Sequence, residues 1–465
     1  DNVMPLNYQW QHQTVNWRNI EEYIVALKQS KVTFIALDTE TTGLKLTKDK
    51  PFYISLAYNG KAVGIDLDRM PDESLKRLMD TIYEKTAKGM LIGHNLIYDL
   101  NMLHNLGYPV PHKQLMDTMI LIRLGTEAIQ EKHGGAPLGL KRFATQYIDE
   151  NASYYSKQID IARMNLAKEF NQKLFQVLPK KELMAVLDQF PNDVDDLDPI
   201  SRQTYLNWKA HLPERVRENM SESLVRTGDI PYNLINRKLL ESYATYDAIY
   251  TYEIFDLLYP KIELLNQGAT LQLEQELLYP LYKMARRGFY MDKAYILATK
   301  NNMKSYIRER IQTFKTLAGK DITHNQVKEL LEVLRNRFGL ADLTSTNEPT
   351  LLEYMNQILR TDPHNPVIEF IKLIFELRTL SKWYSTYLMK FATACEYDDY
   401  IHTSINPAGA ITGRFTADIQ QFPRDGNKDV YGNQLIHPRK MIIRPDKDHD
   451  LLFINYSQME LRIQA

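Results

Sequence analysis

The spacing of apolar residues changes from helical to strand-like and back within the first 150 positions. Apolar side chains at helical spacing in residues 18–29 predict an amphipathic helix, and the apolar run at residues 34–37 has the composition of a buried strand. Residues 52–58 and 62–67 flank Asn59-Gly60, which suits the type I′ turn of a β-hairpin. Strands that alternate with helices after such a hairpin predict a mixed α/β sheet, preceded by a short polar stretch.

Two carboxylates, Asp38 and Glu40, follow directly after the predicted buried strand. Alternation along a strand places both side chains on the same face, where like charges repel. A divalent cation between them would offset the repulsion, because hard cations such as Mg²⁺ take carboxylate oxygens as ligands. The alternative is a solvated strand end followed by the turn Thr41-Thr42-Gly43. An isolated pair favours this alternative, so further acidic residues decide between the two.

Two later segments supply such residues. Asp99 lies four positions after Asn95, in the first turn of a segment with leucines at helical spacing. Tyr243 and Asp247 lie one turn apart inside a strong helical pattern, so they share a face of the helix. The second segment therefore pairs a phenol with a carboxylate.

Three motifs resemble, in order, the exonuclease motifs of the 3′-5′ proofreading domain of DNA polymerases: Asp38-x-Glu40, Asn95-x-x-x-Asp99 and Tyr243-x-x-x-Asp247. The resemblance implies one metal ion bound by Asp38, Glu40 and Asp247. A second ion would be shared by Asp38 and Asp99, with Tyr243 orienting the attacking water. The implied cofactors are two Mg²⁺ or Mn²⁺ ions, because a pair of metal ions activates water and offsets charge on the entering and leaving oxygens.

The same resemblance implies an α/β, ribonuclease-H-like exonuclease domain over residues 1–265. Leu44 and Asn95 would line the slot for the terminal nucleotide, with Leu44 against a base. Asp117-Thr118 is also similar to a family feature. Residues 151–227 carry long charged stretches of helical composition, which we interpret as a helical insertion. The insertion is either a solvated decoration or a surface that guides single-stranded DNA or binds a partner.

Residues 266–400 resemble the mainly helical thumb of family A DNA polymerases. The first helix of this region is expected to end at Gly288, because glycine terminates helices readily. Residues 293–337 carry ten Lys or Arg against four acidic residues, and a helical pair with this surplus can follow a phosphate backbone. Arg378 and Lys382 match the family's closing thumb helix, which implies contact with duplex DNA.

Residues 401–465 resemble the start of the family's α+β palm. The segments TGR, at Thr412 to Arg414, and IQQFP, which contains Gln421, are similar to the family's TGRLSS and LQNIP segments. This similarity places Thr412 at the DNA and implies that Arg414 and Gln421 donate to minor-groove acceptors, which correct base pairs present at similar positions. Arg439 would lie near the primer end or the incoming triphosphate.

Residues 451–462 resemble polymerase motif A, which reads DYSQIELR in the family. Asn455 occupies the position of the aspartate, and Tyr456, Gln458 and Glu460 follow in the expected places. In the family the aspartate bridges both metal ions of synthesis, whereas an amide offers one weak carbonyl oxygen. We therefore expect impaired polymerisation. Glu460 would still crowd a ribose 2′-OH.

The end of the sequence raises a separate expectation. Residues 451–454 predict an apolar strand without neighbours, and the sequence ends inside the helix that follows. An unpaired apolar strand is an aggregation hazard, so we expect the chain to be part of something larger. It would be a deliberate fragment, a longer chain only partly present here, or one half of a split polymerase whose second polypeptide supplies the fingers.

Composition and charge change the picture little. The net charge is −1, and an acidic metal site and a basic groove would cancel in that sum. The lone Cys395 excludes an internal disulfide, and no apolar run approaches membrane-spanning length. These features predict a cytoplasmic protein with no membrane partner.

The sequence thus predicts a family A DNA polymerase that extends from its proofreading exonuclease into the first palm strand. Expected partners are primer-template and single-stranded DNA, and dNTP if the remaining palm and fingers are present. One alternative is a stand-alone, RNase-D-like 3′-5′ exonuclease acting on RNA, against which the thumb and TGR-like segments argue. The other is a non-catalytic DNA-binding subunit, against which the intact acidic set argues.

Overall fold

The computed structural model of the protein describes residues 6, 8–187, 190 and 193–465. Two compact units form, Asp1–Arg287 with Thr403–Asp418, and Gly288–His402 with Ile419–Ala465. Among the described helices, none combines the length and the apolar character that a bilayer crossing requires.

The chain up to Arg287 contains six strands and eleven α-helices among its described residues. The strands are β1 (Gln11–Val15), β2 (Phe34–Thr41), β3 (Pro51–Tyr58), β4 (Lys61–Asp66), β5 (Met90–Gly93) and β6 (Leu115–Asp117). The helices are α1 (Ile20–Gln29), α2 (Asp72–Ala87), α3 (Leu96–His104), α4 (Thr118–Gly125), α5 (Leu140–Tyr147), α6 (Tyr154–Phe175), α7 (Lys180–Leu187), α8 (Pro199–Ala210), α9 (Glu214–Asn219), α10 (Arg237–Leu264) and α11 (Gly268–Arg287).

The six strands form one mixed sheet in the order β1-β4-β3-β2-β5-β6. Strand β2 is interior, antiparallel to β3 and parallel to β5. The predicted hairpin is confirmed as β3 and β4, and its turn residues Asn59 and Gly60 have φ of 47° and 79°, as a type I′ turn requires. The sheet therefore carries the acidic strand in its interior.

One strand was missed by the sequence analysis. The polar stretch before α1 contains β1, which pairs in parallel with β4 at the edge of the sheet. Its sequence QHQTV buries only Val15 fully, because an edge strand with a solvated face can be polar. The apolar periodicity on which the prediction relied is therefore absent.

Helix α10 covers the sheet next to the acidic strand. Half of its 28 residues are buried, including Ala244, Ala248 and Ile254, and they lie on more than one face of the helix. Small residues such as Ala244 and Ala248 allow the helix backbone to approach the strands closely. This packing fixes the distance between the helix and β2.

The compact units have different limits from the predicted domains. Helix α11, placed in the thumb from sequence, belongs to the first unit, and so does the palm-like segment Thr403–Asp418. Gln275 of α11 donates to the carbonyl of Leu115 at 3.0 Å, and Arg123 donates to the carbonyl of Ala408. The functional boundaries at residues 265 and 400 stay a prediction.

The predicted insertion is helical in its described residues, as expected from its composition. It contains α6 to α9 and has its own apolar clusters. One of them packs Ile159, Val216 and Ile230 against partly buried residues that include Tyr232 and Tyr243. The insertion is thus continuous with the packing around α10.

The rest of the chain is mainly helical, with short strand pairs. Its strands are β7 (Phe289–Tyr290), β8 (Tyr400–Ile401), β9 (Ile405–Asn406), β10 (Thr416–Ala417), β11 (Asn427–Lys428) and β12 (Gln434–Ile436), of which β9 and β10 belong to the first unit. Its α-helices are α12 (Lys293–Ala318), α13 (Val327–Asn336), α14 (Glu348–Thr361), α15 (Pro366–Lys382), α16 (Met389–Cys395) and α17 (Met459–Gln464). The predicted stop of α11 is confirmed, with Gly288 at φ 65°.

The second unit has an aromatic core between its helices. Phe370 of α15 stacks on Phe314 of α12, with ring centroids 5.0 Å apart. Part of the basic surplus of residues 293–337 is paired, because Arg310 contacts Glu376 and Lys315 contacts Asp321, each at 2.7 Å. The predicted fold class, an α/β domain followed by a mainly helical region and a small α+β part, is confirmed.

The predicted strand at residues 451–454 is wrong. These residues have no regular secondary structure, and the side chain of Phe453 is 88% exposed. A strand needs a hydrogen-bonding neighbour, and no described strand pairs with this segment. The helix predicted to follow is confirmed as α17.

Candidate active site

An acidic group lies where strand β2 faces helix α10. Asp38, Glu40 and Asp247 each offer a carboxylate oxygen, and these three atoms lie within 4.8 Å of one another. Alternation in β2 brings the first two side chains to one face. Helix α10 delivers the third, and its start is fixed by Asn236, whose side chain accepts from the amide of Lys238 at 3.0 Å. Secondary structure elements far apart in sequence therefore build the group.

Asp99 lies in the first turn of α3, as predicted, and is buried. Its carboxylate accepts a hydrogen bond of 2.5 Å from the hydroxyl of Thr39, which lies on β2 between the two acidic residues. Asp99 is not a member of the 4.8 Å group, although its charge acts on that of Asp38. The structure thus places Asp99 beside the group rather than within it.

The start of α3 is held by a buried carboxylate. Asp117 accepts hydrogen bonds from the amides of Asn95 at 3.1 Å and Leu96 at 2.9 Å, and also caps α4 through the amide of Met119. Asn95 has φ 60°, a left-handed conformation that Asn tolerates better than most residues. The Asp117-Thr118 feature therefore orients the helix that carries Asp99.

Burial disfavours full ionisation of the acidic group. Desolvation raises the pKa of Asp38 to about 6, partly countered by the nearby Lys141. Desolvation and, second, the charge of Asp38 raise the pKa of Glu40 and of Asp99 well above their ordinary values. Carboxylate oxygens gathered in this way suit Mg²⁺ or Mn²⁺, which are hard cations. The donor set fits the predicted metal ions.

Lys141, on α5, was not identified from the sequence. Its ammonium group forms an ion pair with Asp247 and lies 4.7 Å from the centre of the Tyr243 ring. Burial lowers the pKa of Lys141 to about 8, while Asp38 and Glu40 act in the opposite direction. The one available signal was its position three residues before the buried Ala144, on the same helix face.

Tyr243 lies one turn before Asp247 on α10, as the sequence predicts. Its ring packs near that of Tyr232, with centroids 5.8 Å apart. Burial, followed by the charge of Glu40, raises the pKa of the Tyr243 phenol well above its ordinary value. The hydroxyl therefore stays protonated and can donate a hydrogen bond.

Leu44 and Asn95, the predicted lining of the nucleotide slot, are both exposed. Leu44 lies in the loop after β2 with 78% of its surface accessible, and Asn95 precedes α3. A large apolar side chain with this exposure is free to contact a ligand. Their assignment to the slot stays a prediction.

The predicted DNA-contact residues are distributed over both compact units. In the first unit, Thr412 and Arg414 are exposed between β9 and β10. In the second, Lys382, Gln421 and Arg439 are exposed.

Two further sets of predicted residues lie in the second unit. Arg378 is partly buried and donates to the carbonyl of Thr346 at 2.7 Å. Of the motif A residues, Asn455 and Tyr456 lie in the irregular exposed segment, while Gln458 has φ 51° and precedes α17, which contains Glu460. The contacts of these residues with DNA stay a prediction.

Two family models match the chain. A model described as 3′-5′ exonuclease matches residues 16–174, which include Asp38, Glu40 and Asp99 and end before Tyr243. A model described as DNA polymerase family A matches residues 293–465.

Curated relatives carry polymerase names. DNA polymerase I of Helicobacter pylori is 31% identical over 42% of this chain and 20% of its own length. The DNA polymerase of Escherichia phage T5 is 23% identical over 87% of this chain and 42% of its own length. The chain thus spans less than half the length of these relatives.

A solved structure, the POL domain of Pol1 from M. smegmatis in complex with DNA primer-template and dNTP, aligns with a TM-score of 0.52. The alignment covers 89% of this chain and 56% of that one at 13% identity, so it supports the fold alone. The matches confirm the resemblance found in the sequence: residues 16–174 match the 3′-5′ exonuclease family model and residues 293–465 match the DNA polymerase family A model.

Proposed function

We propose that the chain removes nucleotides from DNA 3′ ends, as the proofreading part of a family A DNA polymerase. The observation that carries this proposal is the grouping of Asp38, Glu40 and Asp247 within 4.8 Å, with Asp99 beside it. A solvated strand end would not need to gather Asp38 with the buried carboxylates of Glu40, Asp99 and Asp247 next to an ammonium group. Primer-template and single-stranded DNA are the proposed partners.

The carboxylates are proposed as metal ligands. Asp38, Glu40 and Asp247 would hold one ion, and Asp38 and Asp99 would share a second, with Mg²⁺ or Mn²⁺ as the candidates. When bound, such ions lower the pKa of a water molecule and offset charge on the entering and leaving oxygens of the phosphodiester.

The chain's own residues orient the attacking water and the terminal nucleotide. The protonated Tyr243 hydroxyl donates toward the attacking water, which orients one of its lone pairs. Exposed Leu44 contacts the terminal base, and Asn95 supplies polar contacts at the slot. Separation of the terminal base from its neighbour by an apolar wedge favours single-stranded or frayed ends.

Synthesis by this chain is proposed to be weak because of Asn455. The palm site needs a bridging carboxylate, and the amide offers none. Lys382, Arg414, Gln421 and Arg439 are proposed to hold primer-template DNA. Binding of dNTP would require the remaining palm and fingers, in the same chain or in a second polypeptide.

The test is digestion of a 5′-labelled single-stranded DNA with Mg²⁺ or Mn²⁺ and with chelator. Asp38→Ala should lower the rate about a thousandfold or more, because metal stabilisation of several kcal/mol is lost at 1.36 kcal/mol per tenfold. Asp80→Ala, at an exposed position on α2, is the matched control. A loss below about tenfold for Asp38→Ala would refute the proposal, and faster digestion of RNA than of DNA would favour the RNase-D-like alternative.

A further inference from the structure

The loop that follows strand β2, residues 42–50, has an internal anchor, and we call it the Leu44 loop. The side chain of Asp49 is fully buried. It accepts hydrogen bonds from the amide of Lys45 at 2.7 Å and from the hydroxyl of Thr42 at 2.9 Å. Gly43 has no room for a side chain, because a Cβ there would lie 2.5 Å from the Asp49 carboxylate. The loop is therefore folded around one carboxylate.

The cation that faces this carboxylate comes from the helical insertion. Arg215 of α9 places Nη1 at 3.0 Å from Oδ1 of Asp49. The same nitrogen contacts Oε2 of Glu218 at 3.0 Å. Lys45, in the loop, donates to the backbone carbonyl of Glu218 at 2.9 Å. Two cationic side chains therefore join the Leu44 loop to helix α9: Arg215 from the helix and Lys45 from the loop.

The opposite side of the loop is held by Asn105, at the end of α3 in the same unit. Its side-chain amide donates to the carbonyls of Leu46 and Asp49, each at 2.7 Å. The loop is therefore clamped between α3 and α9, with exposed Leu44 between Gly43 and Lys45. Removal of the cation that faces a buried carboxylate strongly destabilises the fold. Arg215 should therefore stabilise the loop more than an exposed ion pair would.

We propose that Arg215 is a positioning residue, which fixes the Leu44 loop and makes the insertion part of the slot for the DNA 3′ end. This inference rests on the proposed exonuclease function. It replaces the reading of residues 151–227 as a solvated decoration, because α9 contributes charge to a buried site. Arg215 acts through the loop and does not contact the acidic group.

The experiment measures kcat and KM for single-stranded DNA 3′ ends, with Mn²⁺ binding as an independent readout. Arg215→Met should lower kcat/KM by between about tenfold and a hundredfold, because a small misplacement of a substrate contact has this effect. Mn²⁺ affinity should not change, since the carboxylates near Asp38 keep their places. Arg215→Lys, which retains the cation, should recover much of the loss.

Two controls separate positioning from general stability. Arg217→Met alters the same helix at a side chain that donates to the carbonyl of Ala210, inside the insertion, and should leave kcat/KM unchanged. In a Leu44→Ala background, Arg215→Met should have a much smaller effect, because both changes act on one contact. If Arg215→Met does not fold, Lys45→Met tests the second tie to α9 and should also lower kcat/KM.

Three results would overturn the inference: unchanged kcat/KM in Arg215→Met, an effect fully additive with that of Leu44→Ala, or the same loss in Arg217→Met. Absence of digestion by the unsubstituted protein would instead refute the proposed function itself. The two failures are therefore distinguishable.

Discussion

Lys141 and Asp247 form an ion pair inside the acidic group, although they lie on different helices, α5 and α10. The ammonium group of Lys141 pairs with the carboxylate of Asp247, which is also a proposed metal ligand. In the absence of metal, Lys141 therefore supplies positive charge to a site that would otherwise hold only acidic groups. A divalent cation must compete with this lysine.

Removal of Lys141 should strengthen metal binding. Lys141→Met should lower the dissociation constant for Mn²⁺ about tenfold, which equals 1.4 kcal/mol and is modest for one unit charge a few Å away. Calorimetric or paramagnetic Mn²⁺ titration measures this. Lys132→Met, at an exposed position in the same unit, should bind Mn²⁺ like the unsubstituted protein. Weaker Mn²⁺ binding in Lys141→Met would show that the lysine supports the metal site.

The raised pKa of the partly buried Asp38 should make the metal-free protein more stable in mild acid. Its pKa in the folded state is about 6 against an ordinary value of 3.8, so the folded state binds the proton more tightly. This contribution to stability is fully present below the ordinary value and is lost as the pH rises through about 6.

Asp38→Asn should therefore raise the free energy of unfolding of the metal-free protein at pH 8, by an amount on the order of 2–3 kcal/mol. The gain should vanish toward pH 4, and DNA digestion should be lost. Denaturant unfolding in chelator at several pH values measures the effect. A variant less stable than its parent at pH 8 would contradict the assigned cost of burying this charge.

His324 should make the second unit sensitive to acid. The side chain is buried and bonds Ser381, and burial lowers its pKa to about 4 from 6.5. Because the folded value is the lower one, the contribution to stability is present above 6.5 and is lost as the pH falls toward 4.

In His324→Gln, the loss of unfolding free energy between pH 7 and pH 5 should be smaller by about 2 kcal/mol than in the unsubstituted protein. His364→Gln, at an exposed position of the same unit, should keep the original pH dependence. Equal pH dependence in all three proteins would show that His324 titrates normally.

Asn455→Asp should increase nucleotide addition by an enzyme that contains the remaining palm and fingers. The substitution returns a carboxylate that would hold metal ions at the proposed palm site, and such binding would stabilise the transition state by several kcal/mol. Primer extension with Asn and with Asp at this position measures the effect, while DNA digestion should change little. Equal, vigorous synthesis by both would show that the alignment of motif A, or the metal role attached to it, is wrong.

The parts of the fold that the sequence predicts are those whose signal is local. Asn59-Gly60 has the backbone preferences of one turn type, and the four-residue interval between Tyr243 and Asp247 has one meaning on a helix. Strand β1 is polar because it lies at an edge, so no periodicity marks it. The apolar residues 451–454 form no strand because strand formation depends on a partner as well as on composition.

The residues of the candidate site likewise fall into those that a local sequence pattern predicts and those that it does not. Asp38 and Glu40 are two positions apart, so their common face follows from the strand alone. Lys141 reaches them through tertiary packing between α5 and α10, and Arg215 reaches the Leu44 loop across a helical insertion. Such contacts join residues with no fixed interval between them, so a single sequence carries no signal for them.

The interior position of β2 has a consequence for how the protein loses activity. Strand β5 pairs with residues 34–36 of this strand and β3 pairs with residues 36–41, and α10 contributes Asp247 at the acidic end of β2. Its backbone amides should therefore exchange with deuterated solvent only when the whole unit opens, whereas amides of the edge strand β1 exchange by local fraying. Warming should abolish DNA digestion and deuterium protection of β2 together, with no interval in which the first unit is still folded and the acidic group is already dispersed.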